Sequence, residues 1–597
     1  MSFTIEFQPI GQRLVSEEAL TVLAAARQAG LQLRADCGGE GTCGKCLVRF
    51  VGAPPDLPIH PGDRRHLTDQ QLAEGYRLAC SAVIGHSTQV FIPPDSLLGG
   101  QVLQTAGGSG PLSPDPVIRQ HSLQLRPAAL GDLRADFERL QENIGRQLSV
   151  DLETLKEMPR VLRANDWKAN LILNGEHLQH VTAQPVNPLA GLAVDVGSTK
   201  LACYLIDLES AQRLAVKGLP NPQVIYGEDI MARLAYAQQG EKEACELHDL
   251  LMQSIQGALE DLCRESEIDP AQVAEICLVG NTAMHHFSLG LPTGGLAVSP
   301  FVPAVSAALQ TLAASIGLRG MPGMQTYTPP VIAGFVGSDH LAFLLACGFG
   351  RDQRVRLGID IGTNTEIALQ KGERILSVST ASGPAFEGAH IRFGMRAAPG
   401  AIEHVRLADG RFTCEIIGDA PASGICGSGI LDALGELRNS GLLNRRGRLE
   451  KAHPLVELDA QGKPFVTLAL GAGAQRPITL SQGDIDQVLL AKGAIRAGID
   501  VLMDALQISA QDIEEVLIAG AFGSYMLPAQ AIRIGMLPQV PLERIRAVGN
   551  AAGLGAQMML VSQSARRQAE ALAARIQYLE LTLYPDFEVF YANGIRA

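Results

Sequence analysis

The first part of the chain alternates apolar and polar residues in a way that predicts strands around one helix. Residues 2–8 (SFTIEFQ) alternate with the period of a strand, and strand-like runs recur at 47–51 and 88–92. Residues 17–29 repeat their apolar positions at the spacing of an amphipathic helix. Together these elements predict a small α+β unit over residues 1–95.

The remainder of the chain divides into a linker, a short unit and a long unit. Residues 96–117 are rich in Pro, Gly and Ser and are typical of a linker. A charged helical piece over 128–165 and a strand-like NLILNG then predict a small middle domain over 118–187. From 188 to 597 strands alternate with helices, which predicts a large α/β domain whose length favours two lobes over one.

Two segments of the long unit repeat one pattern. Residues 192–208 (LAVDVGSTKLACYLIDL) and 357–372 (LGIDIGTNTEIALQKG) each contain an apolar run, then Asp-x-Gly-[Ser/Thr], then a second alternating run. Alternating runs joined by such a turn predict a β-hairpin. The repeat therefore predicts an internal duplication with one hairpin in each half.

Composition and charge limit the class of protein. The chain has 597 residues, of which 46% are hydrophobic and 19% charged, so it can bury a large core and is not a disordered or collagen-like chain. Its net charge of −13, without a basic run, provides no electrostatic footprint for nucleic acid or an anionic membrane. The sequence shows neither a secretory signal nor an apolar stretch of about 18 residues. We therefore expect a cytoplasmic protein with no nucleic-acid or membrane partner.

Four of the eleven cysteines are concentrated near the N-terminus. Cys37, Cys43 and Cys46 lie in a Gly-rich loop (CGGEGTCGKC), and Cys80 stands alone further along the chain. Three thiolates in a loop that wraps closely, together with a distant fourth, can surround a two-iron cluster. A structural zinc site is an alternative, but it favours two close cysteine pairs, and only one is present here. Four buried thiols without a metal are the remaining interpretation.

The cysteine loop resembles that of the [2Fe–2S] ferredoxins. Five residues separate Cys37 from Cys43, one more than in the plant type, so the spacing is closer to the adrenodoxin-like branch. The resemblance covers about residues 1–95. It implies a β-grasp, ferredoxin-like fold with Cys37, Cys43, Cys46 and Cys80 as the ligands of a [2Fe–2S] cluster.

The two Asp–Gly turns carry the groups that bind phosphate. Phosphate binding needs exposed backbone N–H groups and a hydroxyl, with a carboxylate nearby to hold Mg²⁺. Residues 195–200 (DVGSTK) and 360–366 (DIGTNTE) each supply all of these. Glycine clusters after strand-like runs at 423–434, 516–525 and 547–556 fit backbone contacts to a nucleotide. Each feature alone is weak, because Asp-x-Gly occurs in many turns and such glycines also permit close helix–strand packing.

Together these motifs resemble the acetate/sugar kinase, Hsp70 and actin superfamily, in which two such loops face each other across a cleft. The resemblance implies a two-lobed ATPase that binds MgATP. It makes Asp195 and Asp360 candidates for holding Mg²⁺ through water or for orienting the attacking water. The implied nucleotide-binding residues are Gly197, Ser198 and Thr199 in the first loop, Gly362, Thr363, Asn364 and Thr365 in the second, Gly427 and Ser428 after a later strand, and Gly520 and Ala521 at the adenosine.

The whole chain resembles the reductive activators of corrinoid enzymes, which combine a [2Fe–2S] domain, a linker, a small middle domain and this ATPase domain. Beyond the cofactor motifs, the resemblance rests on segments such as 278–291 (LVGNTAMHHFSLGL) and 381–402 (ASGPAFEGAHIRFGMRAAPGAI). It implies ATP-dependent return of a corrinoid protein from Co(II) to Co(I) in a methyltransferase system, with the cluster relaying the electron. The partner is then a corrinoid protein, the electron donor is unidentified, and a homodimer is consistent with the family.

Two other functions remain as alternatives. The first is an ATP-dependent activator of another low-potential enzyme, of the dehydratase or acyl-CoA reductase type. Known activators of that class carry a [4Fe–4S] cluster at a dimer interface, whereas this chain has an N-terminal four-cysteine loop. The second alternative is a small-molecule kinase or chaperone-like nucleotide switch, which would give the cluster no role.

Overall fold

The computed structural model describes most of the chain. The described residues are 3–8, 12–29, 31, 33–50, 58–93, 96, 112–227, 229–388, 390–395, 397–418, 420–470 and 477–596. Of the linker predicted over 96–117, residues 97–111 lie outside this described part. Among the helices of the described part, none combines the length and the apolar character needed to cross a bilayer.

The N-terminal unit is a mixed sheet with one main helix. Its elements are β1 (Phe3–Gln8), β2 (Gln12–Ser16), β3 (Leu20–Thr21), α1 (Val22–Gln28), β4 (Leu47–Phe50), α2 (Pro61–His66), α3 (Asp69–Ala73), β5 (Tyr76–Leu78), β6 (Val83–Ile84) and β7 (Thr88–Phe91). The sheet has the order β2-β1-β7-β4-β5, with β1 antiparallel to β2 and parallel to β7. Alternate residues of β1, Ile5 and Phe7, are fully buried in one core with Val22 of α1.

The first helix is shorter than its periodicity predicts. The apolar spacing predicts a helix over 17–29, whereas α1 begins at Val22. Thr21 caps the helix, since its side chain accepts a hydrogen bond from the Ala24 N–H at 3.1 Å. Leu20 and Thr21 pair instead with Ile84 and Val83 in a two-stranded ladder.

The second unit is a four-stranded sheet with two helices. Its elements are β8 (Ile118–Gln124), α4 (Asp136–Ile144), β9 (Ser149–Val150), α5 (Leu152–Ala164), β10 (Lys168–Asn174) and β11 (His177–Thr182), and the sheet order is β8-β10-β11-β9. The single helical piece predicted over 128–165 is wrong, because the chain forms two helices there. Gly145 ends α4 in the left-handed conformation, at φ 76°, and β9 separates it from α5.

The next unit begins the duplicated part of the chain. Its elements are β12 (Ala190–Val196), β13 (Lys200–Asp207), β14 (Arg213–Pro220), α6 (Ile230–Ala237), α7 (Glu241–Glu265), β15 (Val273–Gly280), α8 (Thr282–Leu289), α9 (Gly294–Ala297), β16 (Leu309–Leu312), β17 (Gln325–Thr328) and α10 (Ser338–Ala346). Six strands form one sheet in the order β14-β13-β12-β15-β17-β16.

The last unit repeats this plan with additions. Its elements are β18 (Arg356–Ile361), β19 (Thr365–Lys371), β20 (Arg374–Thr380), β21 (Ala401–Ala408), β22 (Arg411–Ile416), β23 (Gly424–Ile425), α11 (Gly427–Asn439), β24 (Glu457–Leu458), β25 (Pro464–Leu470), β26 (Pro477–Ser481), α12 (Gln482–Ala505), β27 (Glu515–Ala519), α13 (Ala521–Tyr525), α14 (Pro528–Arg533), β28 (Ile545–Gly549), α15 (Ala551–Val561), α16 (Gln563–Arg575), β29 (Ile576–Tyr578) and α17 (Phe587–Ile595). Six strands form the main sheet in the order β28-β27-β18-β19-β20-β29, and two three-stranded sheets accompany it.

Five strands of the two six-stranded sheets follow the same order, which confirms the predicted duplication. The sixth strand differs, because β16 pairs antiparallel with β17 at one edge of its sheet, whereas β29 pairs in parallel with β20 at the opposite edge. Each begins with a three-stranded antiparallel meander, β12–β14 in one sheet and β18–β20 in the other. The first strand of each meander then pairs in parallel with a later strand, β15 or β27. Both predicted hairpins are present, and the loops that close them are residues 197–199 and 362–364. The two sheets therefore present equivalent loops.

A buried ion pair joins the two halves. Arg566 of α16 donates a hydrogen bond to Glu275 of β15 at 2.6 Å, and both side chains are almost completely buried. The Arg566 guanidinium also lies 4.3 Å from the centre of the Tyr327 ring. Removing one partner of such a pair leaves an uncompensated charge inside the protein.

We expect Glu275→Gln to lower the free energy of unfolding by about 3–5 kcal/mol, because Arg566 would stay buried without its counter-charge. The matched control is Glu153→Gln, which breaks an exposed pair with Lys156 and should cost no more than about 1 kcal/mol. Denaturant unfolding followed by circular dichroism measures both variants. Equal losses in the two would contradict a stabilising role for the buried pair.

Candidate functional site

The two hairpin loops open onto one cavity of about 300 Å³, a volume typical of small-molecule sites. It lies between the ends of β12 and β18, where the duplicated sheets face each other. Eleven of the residues predicted from the sequence line it: Asp195, Gly197, Ser198, Thr199, Asp360, Gly362, Thr363, Asn364, Gly427, Ser428 and Gly520. The structure thus brings together residues that are hundreds of positions apart in the chain.

Two predicted residues do not occur among the described residues that line the cavity. Thr365 is fully buried, and its hydroxyl lies 2.8 Å from the Ser382 hydroxyl. Successive side chains of a strand point to opposite faces, so Glu366 rather than Thr365 faces the cavity. Ala521 is the first residue of α13 and follows the lining residue Gly520.

Four carboxyl groups converge on the cavity, of which the sequence identified two. Besides Asp195 and Asp360, the lining includes Asp339 near the start of α10 and Glu366 of β19. Glu366 is the cross-strand partner of Asp360, so hairpin register could have identified it. Asp339 had no comparable signal, because its neighbours in the chain repeat no motif of the other loops. Asn550 donates a hydrogen bond to Asp195 Oδ2 at 2.8 Å.

Burial and mutual repulsion shift the pKa values of these acids upward. Burial raises the pKa of Asp195 to about 6, and burial and the Asp195 charge raise that of Asp360 to about 7. Burial, with the charges of both, raises the pKa of Asp339 to about 8. The pKa of Glu366 lies well above its ordinary value for the same reasons. Four crowded carboxylates near neutral pH favour a bound cation or shared protons.

The first loop is held in place by two asparagines. Asn281 donates a hydrogen bond to the Ser198 hydroxyl at 2.9 Å, and the Asn221 side chain donates one to the Gly197 carbonyl at 2.9 Å. A Cβ at position 197 would lie 2.6 Å from the Lys200 carbonyl oxygen, so only glycine fits. The loop is therefore pre-formed, with a fixed hydroxyl beside the cavity.

The second loop is closed by its own backbone and by Gly520. The Gly362 N–H donates to the Asn364 carbonyl at 3.1 Å. Gly520 has a φ of 89°, and a Cβ there would lie 2.4 Å from the Ile361 carbonyl oxygen and 3.3 Å from Asp360 Oδ1. This glycine lets β27 end directly against the loop and its acid.

The far end of the cavity has an aromatic wall that the sequence did not reveal. The Phe386 and Phe522 rings stack with centres 4.7 Å apart and planes 22° apart. A Cβ at Gly427 would lie 2.0 Å from the Phe386 carbonyl oxygen and 2.9 Å from the Phe522 ring. Gly427 and Ser428 begin α11, whose N-terminal N–H groups carry partial positive charge. A flat apolar wall beside such a helix end suits a nucleobase and its sugar.

The four N-terminal cysteines form two pairs. Cys37 and Cys43 share a hydrogen bond between their thiols, and the Cys46 and Cys80 sulfurs lie 3.4 Å apart. The Cys43 thiol and the N–H groups of nearby residues lower the pKa of Cys37 to about 3, which favours the thiolate. Two pairs of thiols match the ligand requirement of two iron atoms with two protein ligands each.

The backbone around the cysteines also fits a cluster. Gly38, Gly39, Gly41 and Gly44 all have positive φ, which non-glycine residues rarely adopt. A Cβ at Gly41 would lie 4.0 Å from the Cys80 sulfur, and one at Gly44 would lie 2.8 Å from the His66 ring. The positive φ values are therefore the main reason for glycine in this loop, and at Gly44 the His66 ring leaves no room for a side chain either.

Family comparisons match most of the chain in four consecutive parts. The "2Fe-2S iron-sulfur cluster binding domain" matches residues 5–85, the "RACo linker region" 110–186, the "RACo middle region" 190–352, and the "C-terminal domain of RACo the ASKHA domain" 354–596. These matches confirm the predicted fold class, a ferredoxin-like domain followed by an ATPase-type domain of the acetate/sugar kinase, Hsp70 and actin class.

Individual relatives are similar along the length of the chain. The corrinoid activation enzyme RamQ of Eubacterium limosum is 31% identical over 594 residues, covering 97% of this chain and 96% of that protein. The [Co(II) methylated amine-specific corrinoid protein] reductase of Methanosarcina barkeri is 27% identical over 439 residues, covering 67% and 76%. A solved reductive activator for a corrinoid, iron-sulfur protein has 29% identity and a TM-score of 0.72, covering 99% of this chain and 97% of that one.

The raised pKa of Asp339 predicts a pH-dependent stability. Between the ordinary pKa of an aspartate and about 8, the folded protein holds a proton that the unfolded chain has lost, so stability falls as pH rises through this window. Without Mg²⁺ or nucleotide, we expect Asp339→Asn to unfold several degrees above the unsubstituted protein at about pH 8, and above it by a much smaller margin at about pH 5.

Scanning calorimetry at the two pH values measures this difference. The matched control is Asp249→Asn at an exposed position of α7, where a surface substitution should change stability by less than about 0.5 kcal/mol at either pH. An Asp339→Asn shift of equal size at both pH values would contradict the raised pKa of Asp339.

Proposed function

This chain belongs to the RACo family of reductive activators of corrinoid proteins, and we propose that it uses ATP to return a corrinoid protein from Co(II) to Co(I) in a methyltransferase system. One observation carries the proposal: a paired-thiol loop and an acidic cleft between duplicated hairpins occur together in one chain. Its similarity to a corrinoid activation enzyme along nearly its whole length supports the same function.

In the proposed function, Cys37, Cys43, Cys46 and Cys80 hold a [2Fe–2S] cluster. When bound, such a cluster accepts and releases one electron at a time. The thiolates fix its position, and the glycines of the loop bring backbone N–H groups toward the sulfurs. These N–H groups stabilise negative charge on the sulfurs and thereby influence the reduction potential.

The cleft would bind MgATP along its length. The N–H groups and hydroxyls of 197–199 and 362–364 would surround the phosphates, and the Phe386–Phe522 wall would contact the base. Gly427, Ser428 and Gly520 would line the sugar and adenine end. Ala521 stays the proposed residue at the adenosine. Thr365 would support the second loop, because its hydroxyl meets that of Ser382, which also donates to the Thr363 carbonyl.

The four acidic side chains of this cleft would attract a metal ion and accept a proton. We assign Asp195 and Asp360 to holding Mg²⁺ through water or orienting the water that attacks the terminal phosphate. Asp339 and Glu366 add negative charge at the same point, which strengthens attraction for the metal ion. A carboxylate of raised pKa also accepts a proton from water more readily than an ordinary one.

The difference in reduction potential between donor and acceptor explains why electron transfer would be coupled to ATP. A plant-type cluster has a potential near −400 mV, and each further 59 mV of a one-electron couple is about a tenfold factor in equilibrium constant. Reduction of an acceptor more negative than its donor therefore needs an energy source.

The proposed domains are 1–95, 96–117, 118–187 and 188–597. The electron donor is unidentified, and the proposed assembly is a homodimer.

The first test is reduction of a corrinoid protein in the presence and absence of MgATP. With reduced protein and a Co(II) corrinoid partner, we expect the visible band of Co(I) to appear only when MgATP is added. Asp360→Asn should slow its appearance by about two orders of magnitude, within the range of single electrostatic contacts to a reacting group. Asp249→Asn, at an exposed position of α7, serves as the control.

Two results would change the proposed acceptor or the proposed role of Asp360. If ATP is hydrolysed and the cluster spectrum is normal but Co(II) persists, the acceptor is another low-potential enzyme, of the dehydratase or acyl-CoA reductase type. If Asp360→Asn hydrolyses ATP at the unaltered rate, the role of this acid is wrong.

The cysteine assignment is tested by substitution. We expect Cys43→Ser to lose the visible and electron paramagnetic resonance (EPR) spectra of a [2Fe–2S] cluster and to abolish Co(I) formation, while nucleotide binding persists. Cys245→Ser is the matched control, since Cys245 is an exposed thiol on α7. Full Co(I) formation by Cys43→Ser would instead support a nucleotide switch in which the cluster has no role.

A further inference from the structure

The cluster-binding loop rests against a short segment of the middle region, residues 221–227, which follows β14. Arg27 of α1 places its guanidinium 5.0 Å from the centre of the Tyr226 ring and donates a hydrogen bond to the Ile225 carbonyl. Gly38, next to the ligand Cys37, approaches so closely that a Cβ there would lie 3.1 Å from the Tyr226 carbonyl oxygen. The contact therefore involves the cysteine loop itself.

The opposite end of the same segment is bonded to the first phosphate loop. The Asn221 N–H donates to the Thr199 carbonyl at 2.9 Å, and its side-chain amide donates to the Gly197 carbonyl at 2.9 Å. Asn221 is almost completely buried, and its side-chain oxygen accepts from the Gln223 N–H at 2.9 Å. Asn221 thus bonds to two carbonyls of the loop, those of Gly197 and Thr199, and connects them to the start of the segment.

The segment is held firmly between these two ends. The Tyr226 ring packs on the Tyr236 ring with centres 4.4 Å apart, and both hydroxyls donate to the Glu246 carboxylate. The buried Arg233 donates from Nε to the Gly227 carbonyl at 2.8 Å. A displacement at Asn221 would be passed on to Tyr226 rather than absorbed by a loose loop.

We propose that residues 221–227 form the docking surface for the cluster-binding unit, and that Asn221 is a positioning residue that couples nucleotide at loop 197–199 to this docking. The partner of the surface is this chain's own N-terminal unit, recognised by a cation over an aromatic ring and a backbone carbonyl. The coupling rests on the proposed function, because it needs a nucleotide in the cleft.

Coupling of this kind is reciprocal. If nucleotide in the cleft weakens docking, loss of docking strengthens nucleotide binding by the same factor, and if it strengthens docking the reverse holds. The nucleotide would thereby set the position from which the cluster reaches its electron partners. Docking and binding are separate measurements, so the relation between them can be tested.

The docking surface is tested with the cluster-loaded, reduced protein and a nitroxide attached to Cys245, an exposed thiol one residue before Glu246. Pulsed EPR measures the distance from the nitroxide to the reduced cluster, and a Cys245→Ser sample corrects for label elsewhere. We expect Arg27→Ala to lengthen and broaden this distance distribution. Arg65→Ala, which removes an exposed arginine from α2 of the same unit, should leave it unchanged. Equal distributions in Arg27→Ala and the unsubstituted protein would overturn the docking surface.

The coupling is tested by adding MgATP to the same samples while nucleotide affinity is measured with a fluorescent analogue. We expect the distance distribution to change in the unsubstituted protein and to remain fixed in Asn221→Asp, which keeps the acceptor for Gln223 but lacks the donor to Gly197. Asn221→Ala provides a second variant if Asn221→Asp folds poorly. The affinity change in Arg27→Ala should have the sign that reciprocity requires.

The outcomes separate the coupling from the proposed function. Nucleotide binding without any distance change, a change that persists in both Asn221 variants, or an affinity change of the wrong sign would overturn the coupling. Failure of the nucleotide to bind would overturn the proposed role of the cleft and the coupling with it. The comparison of Arg27→Ala with Arg65→Ala would still decide the docking surface.

Discussion

Four acidic side chains are buried together in one cavity, and the cost of burying them side by side is the constraint on which the arrangement of the duplicated units depends. Asp195 and Asp360 each lie near the end of a strand that is paired on both sides, antiparallel with its hairpin partner and parallel with β15 or β27. The backbone of neither acid can move away from the cavity unless its strand loses hydrogen bonds to the neighbouring strands. The sheets therefore hold the four acids together in spite of their repulsion, and protonation of one or more of them relieves it.

The cavity exists because backbone approaches backbone closely around it. Gly197, Gly427 and Gly520 each occupy positions where a Cβ would lie within about 2.6 Å of a carbonyl oxygen, as the distances at Lys200, Phe386 and Ile361 show. Alanine at any of these three positions would push the neighbouring strand, loop or helix away from its present contact. Close packing therefore requires glycine at these three positions, and contact with a nucleotide belongs to the proposed function.

Short sequence patterns predicted the features that depend on residues close together in the chain. The alternation around Asp195 and Asp360 determines both hairpins, and the cysteine spacing predicted a loop that does pair its thiols. Membership of the motif did not indicate that Glu366 rather than Thr365 faces the cavity, since parity along β19 decides which side chains point there. Asp339 and the Phe386–Phe522 wall depend on tertiary packing between distant segments, which one sequence does not encode in any short pattern. The same is true of the contact between Arg27 and Tyr226.

In the proposed function, the acid cluster would also determine which form of nucleotide the cleft accepts. A free nucleoside triphosphate would bring several negative charges beside Asp195, Asp339, Asp360 and Glu366, where burial, together with neighbouring charges at the last three, already raises the pKa values and so disfavours negative charge. Coulomb repulsion between unit charges about 4 Å apart at an effective dielectric of 20 is about 4 kcal/mol, roughly a thousandfold in affinity. The loop N–H groups offset only part of this. In the proposed function, a divalent cation between phosphates and carboxylates would turn the same geometry from repulsive to attractive, so the cleft would favour the metal-bound nucleotide before any chemistry begins.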